Sequence, residues 1–362
     1  MSVEARPAQV RFRAAGEGVV SPSRPSADGQ LVRASLNESP FPPMPGVAEA
    51  IAAEIPQLGR YGGDMAGATA AIAAAYGRTT DQVLISAGSG ALIQAITAAI
   101  CGLGDEVLLS WLSFPGYVTS AQMNEATPVK VPWAADGGHD VTAILGAITD
   151  RTRMIMLSSP NNPSGTALRQ EQYEELVAGT PPDVLICLDE AYADFATSPD
   201  AFIGAAHPDL AENVVVLKTF SKAIGLAGLR VGFMLAAPRI VEGVARMRSA
   251  AAVSRLGLAA ATYCYSPAGQ AEVGQRLTYL ITERERIRTE LLAAGVPVPD
   301  SDASFVWLPV GDKTAELNAR IADAGIIARP FDGQGVRYTV WLSEVNDRFI
   351  AAVTEWWRGH SR

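Results

Sequence analysis

Residues Gln82–Gly102 read QVLISAGSGALIQAITAAICG: an apolar run of strand length, a small-residue turn, then apolar residues returning at helical spacing. A strand that passes through glycines straight into a helix is the repeating unit of an α/β sheet. At such a junction the first backbone N–H groups of the helix, here those of Gly88, Ser89 and Gly90, are unpaired and sit at the positive end of its dipole, which suits a phosphate. The same stretch reads equally as a plain glycine turn. A dinucleotide fingerprint fits poorly, because Ile93 stands where its third glycine belongs. Nor is AGSGA the G-x-S-x-G turn of serine hydrolases, since Ala87 takes the first glycine's place.

Outward from this unit the pattern repeats. VAEAIAAEI and ATAAIAAAYG predict helices before it, the alanine stripe of the second being core. EVLLS, TPVKVP, RMIMLSS and DVLICLDE predict strands after it, with the helix EQYEELVAG ahead of the last. Strands separated by helices imply a mostly parallel sheet covered on both faces. Beyond about residue 240 the rhythm changes to the long helix AEVGQRLTYLITERERIRTELLAAG, closing on Gly295. The strands SFVWLPV, GIIARPF and GVRYTVW follow, with the helix DKTAELNARIADAG between the first two and Trp307 in the core. A last helix begins after Ser343 as its N-cap. The expected organisation is an N-terminal arm over residues 1–30, a large domain over 46–245, and a smaller α+β domain built from 31–45 and 246–362.

Composition narrows the function classes. The chain has 362 residues, 48% apolar and 19% charged, enough for sizeable cores in about two domains. A net charge of -9 without basic blocks speaks against a nucleic-acid partner. Cys101, Cys187 and Cys264 lack metal-ligand spacing, two of them sit in apolar runs as buried thiols do, and a reducing, cytoplasmic setting fits. His139, His207 and His360 are too scattered for a zinc site. The N-terminus, with Glu4, Arg6, Arg11 and Arg13, is not expected to be a signal peptide, and the uncharged run Val83–Gly104 is interrupted too early to span a bilayer.

In a parallel sheet, ligands sit beyond the carboxyl ends of the strands. LSSPNNPSGT places Asn162 there in a rigid double-proline frame, an amide donor for a phenolate-like oxygen, though a structural turn reads as well. ICLDEAY ends an apolar strand on Asp189, a carboxylate that is costly unless a cation meets it, with Tyr192 three residues on. KTFSKAIGLAGLR, Lys218–Arg230, surrounds Lys222 with small and apolar residues. Standing alone, that lysine reads as an exposed loop residue. Where water is scarce, however, the amine loses its proton and becomes a nucleophile for an aldehyde. An amine for an aldehyde, an anion-binding helix start, a carboxylate for a ring nitrogen and two donors for a ring oxygen jointly describe pyridoxal 5'-phosphate.

With LNESPFPP, RYGGD, SAGSGAL, SFPGY, SPNNPSGT, DEAYADF, KTFSKAIGLAGLRVGF, SFVWLPV and RPFDGQGVRYTV in this order, the chain from Leu36 onward resembles the fold type I pyridoxal-phosphate aminotransferases, in their histidinol-phosphate aminotransferase branch. WLSFPGY, SFVWLPV and RPF look nearer to the aromatic (phenylalanine) aminotransferase subgroup. The resemblance implies an aspartate-aminotransferase-like large domain with a smaller α+β domain. It makes Lys222 the Schiff-base lysine and the base at the substrate Cα, Asp189 the partner of the pyridine nitrogen, and Tyr192 with Asn162 the contacts of the ring oxygen. Phe114 would stack on the ring, and Gly88, Ser89, Gly90, Thr219, Ser221 and Arg230 would hold the phosphate. Tyr61 would reach the phosphate of a neighbouring subunit, which implies a homodimer with shared sites. Arg337 would bind the substrate α-carboxylate, Arg329 a second anionic group, and Asn37 and Phe41 would face the substrate.

Two departures bear on the substrate. Phe41 stands where that family often has a tyrosine, and SAAAVSRLG where a proline-aromatic pair is common. Losing a hydroxyl removes a donor for a substrate phosphate, so the expected donor is an aromatic amino acid, with 2-oxoglutarate as acceptor. Histidinol phosphate is the alternative donor. A decarboxylase or lyase on the same scaffold, and a non-catalytic nucleotide-binding module, remain rival classes. Trp111 and Tyr117, flanking Phe114, read as pocket or core.

Overall fold

The computed structural model describes residues 31–360, so the arm expected over residues 1–30 lies outside the described residues. The strands are β1 (Val32–Arg33), β2 (Val83–Ser86), β3 (Glu106–Trp111), β4 (Thr127–Pro132), β5 (Thr152–Ser158) and β6 (Leu185–Asp189). They continue with β7 (Val214–Thr219), β8 (Gly232–Leu235), β9 (Phe305–Leu308), β10 (Ile326–Ile327), β11 (Arg329–Phe331) and β12 (Gly335–Thr339). Seven form the central sheet in the order β2-β8-β7-β6-β5-β3-β4. All pairings are parallel except those of β8, which is antiparallel to both neighbours. β7 and β8, on VVVLKT and GFML, add strands beyond those expected.

Alternation along the strands builds a core on each face. In β6, Ile186 and Leu188 join one cluster with Ile72, Ile85, Leu108 and Phe233, while Cys187 joins the other with Leu92, Ile96, Met154 and Met234. A third core gathers Phe305, Tyr338, Ile321, Phe349 and Ala34 around the antiparallel sheet β11-β12-β9. An early segment returns to this unit: β1 pairs parallel with β10.

Three expected boundaries shift. Val253, Leu258, Ala260, Ala261 and Cys264 pack in the large-sheet core, and the helix Pro267–Ala293 lends Val273 to that core but Leu280, Ile287 and Leu291 to the third. The packing seam therefore runs through this long helix and not between residues 245 and 246. GIIARPF splits, β10 turning to β1 and β11 to β12. Ser343 is the first residue of the helix Ser343–His360 and not its cap, since the first turn's N–H groups of Val345 and Asn346 already bond the Leu342 carbonyl.

The antiparallel strand matters most for the site. Its first residue, Gly232, stands in register with Ser86 at the carboxyl end of β2 and with Thr219 at that of β7. It thereby brings together the loops that follow two strands separated in sequence. A Cβ here would lie 2.5 Å from the Ser89 N and 2.9 Å from the Lys218 O, so only glycine allows the approach. Gly232→Ala is expected to destabilise the fold by about 1–3 kcal/mol through overpacking against backbone. Gly274→Ala, on an open helical face with nothing within 4 Å, is expected to stabilise it by a few tenths of a kcal/mol to about 1 kcal/mol. Chemical denaturation of both checks this, and a neutral Gly232→Ala contradicts it.

Candidate active site

Four strand ends, at Ser86, Ser158, Asp189 and Thr219, deliver their following loops to one edge of the sheet. At β2, Gly88 caps the helix Ser89–Ile100 with φ +90, and a Cβ on it would meet Arg230 Nη2 at 2.8 Å. Space over Gly90 is open. Arg230, itself left-handed at φ +54, anchors its guanidinium on the Ala227 carbonyl at 2.8 Å and points Nη1 to Ser221 Oγ at 3.4 Å. Ser221 in turn bonds Thr219, hydroxyl to hydroxyl at 3.1 Å. Helix amides, two hydroxyls and a guanidinium thus line one concavity, the donor set of a phosphate cradle whose floor a Cβ would fill.

Lys222 follows directly. Its amine donates to the carbonyls of Leu36 at 2.8 Å and Asn37 at 3.0 Å and lies 5.8 Å from the Tyr192 ring. Burial brings its pKa down to about 7, with the Arg337 charge adding to the effect and Glu38 and Asp189 opposing it. Lys218, four residues earlier, shows the contrast. It is 3% exposed, yet its ammonium meets Asp194 at 2.9 Å, and its pKa rises because carboxylates outweigh its desolvation. One strand and its loop carry two lysines, one buried, paired and held charged, the other part-buried and left beside carbonyls.

Asp189 is buried, and desolvation raises its pKa against the pull of its donors. Tyr117 donates its hydroxyl to Oδ2 at 2.8 Å and the Ala191 N–H reaches Oδ1 at 3.2 Å. Tyr117 is 1% exposed, so it belongs to the core and the site at once. Phe114, 41% exposed, stands edge-on to Tyr117 with centroids 5.5 Å apart. Trp111, only part-buried, turns instead to Lys130, whose amine lies 4.0 Å from its ring.

The second sheet supplies the opposite wall. Arg337 is buried, its guanidinium 5.3 Å from the Phe305 ring and 5.8 Å from that of Phe331. It donates through Nη1 to Asn162 Oδ1 and through Nη2 to the Ser35 carbonyl, while its Nε has no partner. Burial lowers its pKa to about 10, Tyr192 opposing the shift and Arg329 adding to it. Arg329 faces Arg337 across the β11-β12 pairing. Asn37, 2% exposed with φ +53, donates Nδ2 to the Tyr192 hydroxyl at 2.8 Å. Phe41 meets Tyr279 edge-on at 5.5 Å, under the Arg276 guanidinium.

Lys222, Asp189, Tyr192, Asn162, Asn37 and Arg337 are therefore gathered around one space. Tyr61 is not, since it stands 99% exposed on this chain. Residues that the sequence reading passed over are Lys218 with Asp194, Ser35, and Thr339, whose hydroxyl bonds Asn37. An ionisable residue inside VVVLKT was the available signal for the first pair; nothing local marked the others.

This geometry has relatives. Residues 31–352 match the model of the family described as aminotransferase class I and II. The aromatic amino acid aminotransferase of Rhodococcus jostii (strain RHA1) is 42% identical over 329 residues, 89% of each chain. That of Streptomyces avermitilis is 39% identical over 354 residues, 96% of this chain and 98% of the relative. Among solved structures, histidinol-phosphate aminotransferase from Sinorhizobium meliloti, in complex with pyridoxal-5'-phosphate, aligns with a TM-score of 0.82 at 27% identity over 91% of each chain. Aspartate aminotransferase from Thermus thermophilus shares the fold, with a TM-score of 0.76 at 22% identity over 90% of this chain and 91% of that one. With its strand-end loops, its desolvated lysine and these relatives, the chain belongs to the class I and II aminotransferases.

Proposed function

We propose that this aminotransferase moves the amino group of an aromatic L-amino acid to 2-oxoglutarate, using pyridoxal 5'-phosphate held at Lys222. The observation that carries the reading is the Lys222 amine, desolvated and bonded to two carbonyls. The residues fit the cofactor: the cradle of Gly88, Ser89, Gly90, Thr219, Ser221 and Arg230 suits its phosphate, and buried Asp189 suits a protonated ring nitrogen. Bound there, pyridoxal phosphate supplies an aldehyde and a ring that takes up the electron pair left when the substrate Cα loses a proton.

The chain's own groups do the rest. With its pKa brought down to about 7 by burial, Lys222 would offer a neutral amine to the cofactor's aldehyde and a base for the substrate Cα proton. Asp189, oriented by Tyr117, keeps the ring nitrogen protonated by charge. Tyr192 and Asn162 would donate to the ring oxygen. Arg337 has a spare Nε–H and a guanidinium steered by Asn162 and Ser35, which suits an α-carboxylate.

For the donor side chain, Trp133, Trp307 and Phe331 form an edge-on chain of rings, at 6.5 and 5.5 Å, that runs toward Arg337. Aromatic side chains favour such edges. Phe41 offers no hydroxyl, and relatives near 40% identity carry the aromatic name. The observation favouring histidinol phosphate instead is Arg329, a second guanidinium opposite Arg337. We also place the working enzyme as a homodimer, on the exposed Ile55, Leu58 and Tyr61, which a second subunit would cover. A cytoplasmic setting accords with three buried free thiols, and among the described residues no helix is long and apolar enough to cross a membrane.

Three outcomes follow. Imine formation between apoprotein and pyridoxal phosphate should accelerate with rising pH through about 7 and level off above it, because only the neutral amine attacks. A midpoint of about 9 or higher, read by cofactor absorbance, contradicts the desolvated amine. Lys222→Ala should lose turnover by about 10⁴-fold or more while still binding cofactor through the phosphate cradle. In a side-by-side assay with 2-oxoglutarate, kcat/KM for phenylalanine should exceed that for histidinol phosphate by at least about 100-fold, with a keto-acid product and no carbon dioxide. The reverse order would turn the assignment to histidinol phosphate.

A further inference from the structure

The segment entering the site, Ala34 to Asn37, lies as a strap across the end of β12, and its backbone oxygens are spent on site residues. Ala34 O accepts from the Thr339 N–H at 3.0 Å, and Ser35 O accepts from Arg337. Leu36 O and Asn37 O both accept from Lys222. Asn37 is the turning point, in the left-handed region at φ +53, which asparagine tolerates better than most residues when its side chain is held locally.

Thr339 is what holds it. Buried at 1% exposure, its hydroxyl accepts from the Asn37 N–H at 3.1 Å and donates to Asn37 Oδ1 at 2.9 Å. A single atom that both gives and takes a hydrogen bond can grip the backbone and side chain of one residue together. The grip also sets the orientation of the Asn37 amide: with Oδ1 turned to Thr339, Nδ2 faces the Tyr192 oxygen, leaving the Tyr192 hydroxyl hydrogen for another acceptor.

We propose that Thr339 is a positioning residue for the reaction: its hydroxyl fixes Asn37 so that the Asn37 carbonyl holds the Lys222 amine and the Asn37 amide aims the Tyr192 hydroxyl. This rests on the reading of Lys222 as the reacting amine. Both hydrogen bonds of the Thr339 hydroxyl go to Asn37, so it acts on the amine and on Tyr192 through that residue. Valine matches its shape without the hydroxyl, and serine keeps the hydroxyl without the methyl.

The test compares Thr339→Val and Thr339→Ser with wild type in two assays: kcat of the holoenzyme with phenylalanine and 2-oxoglutarate, and the pH midpoint of imine formation by the apoprotein with pyridoxal phosphate. Valine should lower kcat by about tenfold or more, and should move the midpoint to lower pH by about half a unit, since an ammonium loses more than a neutral amine when a carbonyl withdraws. Serine should keep kcat within about twofold of wild type and leave the midpoint unmoved, as only the hydroxyl is required. The other charges facing the amine, Arg337, Glu38, Asp189 and Arg230, keep their identities in every variant. Wild-type kcat and midpoint in the valine variant overturn the proposal, as does equal impairment of both variants with an unmoved midpoint. Should valine prevent folding, Thr339→Ala takes its place under the same criteria. Borohydride reduction of the wild-type holoenzyme separates the two claims: a label absent from Lys222 strikes the reading of the site, whereas an unmoved midpoint with Lys222 labelled strikes only Thr339.

Discussion

A desolvated amine with no carboxylate bonded to it is the constraint on which the rest of this molecule depends. Desolvation drives such an amine toward its neutral form, and carbonyl oxygens hold it in place while favouring the ammonium less than the full charge of a carboxylate would. Lys222 meets this condition and Lys218, four residues away, does not, because Asp194 stands 2.9 Å from its ammonium. The two lysines share a strand and its loop, so proximity to the site does not decide their chemistry. Their partners do.

Holding that amine requires contributions from far along the chain, and the sheet arranges them. Parallel strands deliver their loops to one edge, while the antiparallel β8 returns to that edge and aligns the ends of β2 and β7 through Gly232. The phosphate cradle grows from this alignment, with Gly88 left bare so that Arg230 can close over it. From the other side, β12 carries Arg337 and Thr339 on alternate residues. One reaches Asn162 and Ser35, the other grips Asn37. A strap near the beginning of the described chain is thereby fixed by a strand near its end.

Much of this was legible before any coordinates. Apolar runs ending in polar residues marked the strand ends, and a charge closing an apolar strand, as at Asp189, announced a site because burial without a partner is unfavourable. What stayed hidden was what depends on register and long-range pairing. The Thr339 hydroxyl and Asn37 are 302 residues apart, and no local pattern links them. Tyr117 could be read as pocket or core because its ring packs in the core while its hydroxyl serves Asp189. The seam between the two units escaped notice for a similar reason: one unbroken helix, Pro267–Ala293, changes core partners midway with no break in its periodicity.

The most direct test is a crystal structure of the chain grown with pyridoxal phosphate. The account predicts continuous density from Lys222 Nζ to the cofactor's aldehyde carbon, with the ring nitrogen within hydrogen-bond reach of Asp189 and the phosphate at the Gly88–Arg230 cradle. A cofactor joined to Lys218, or one whose ring nitrogen points away from Asp189, would contradict it.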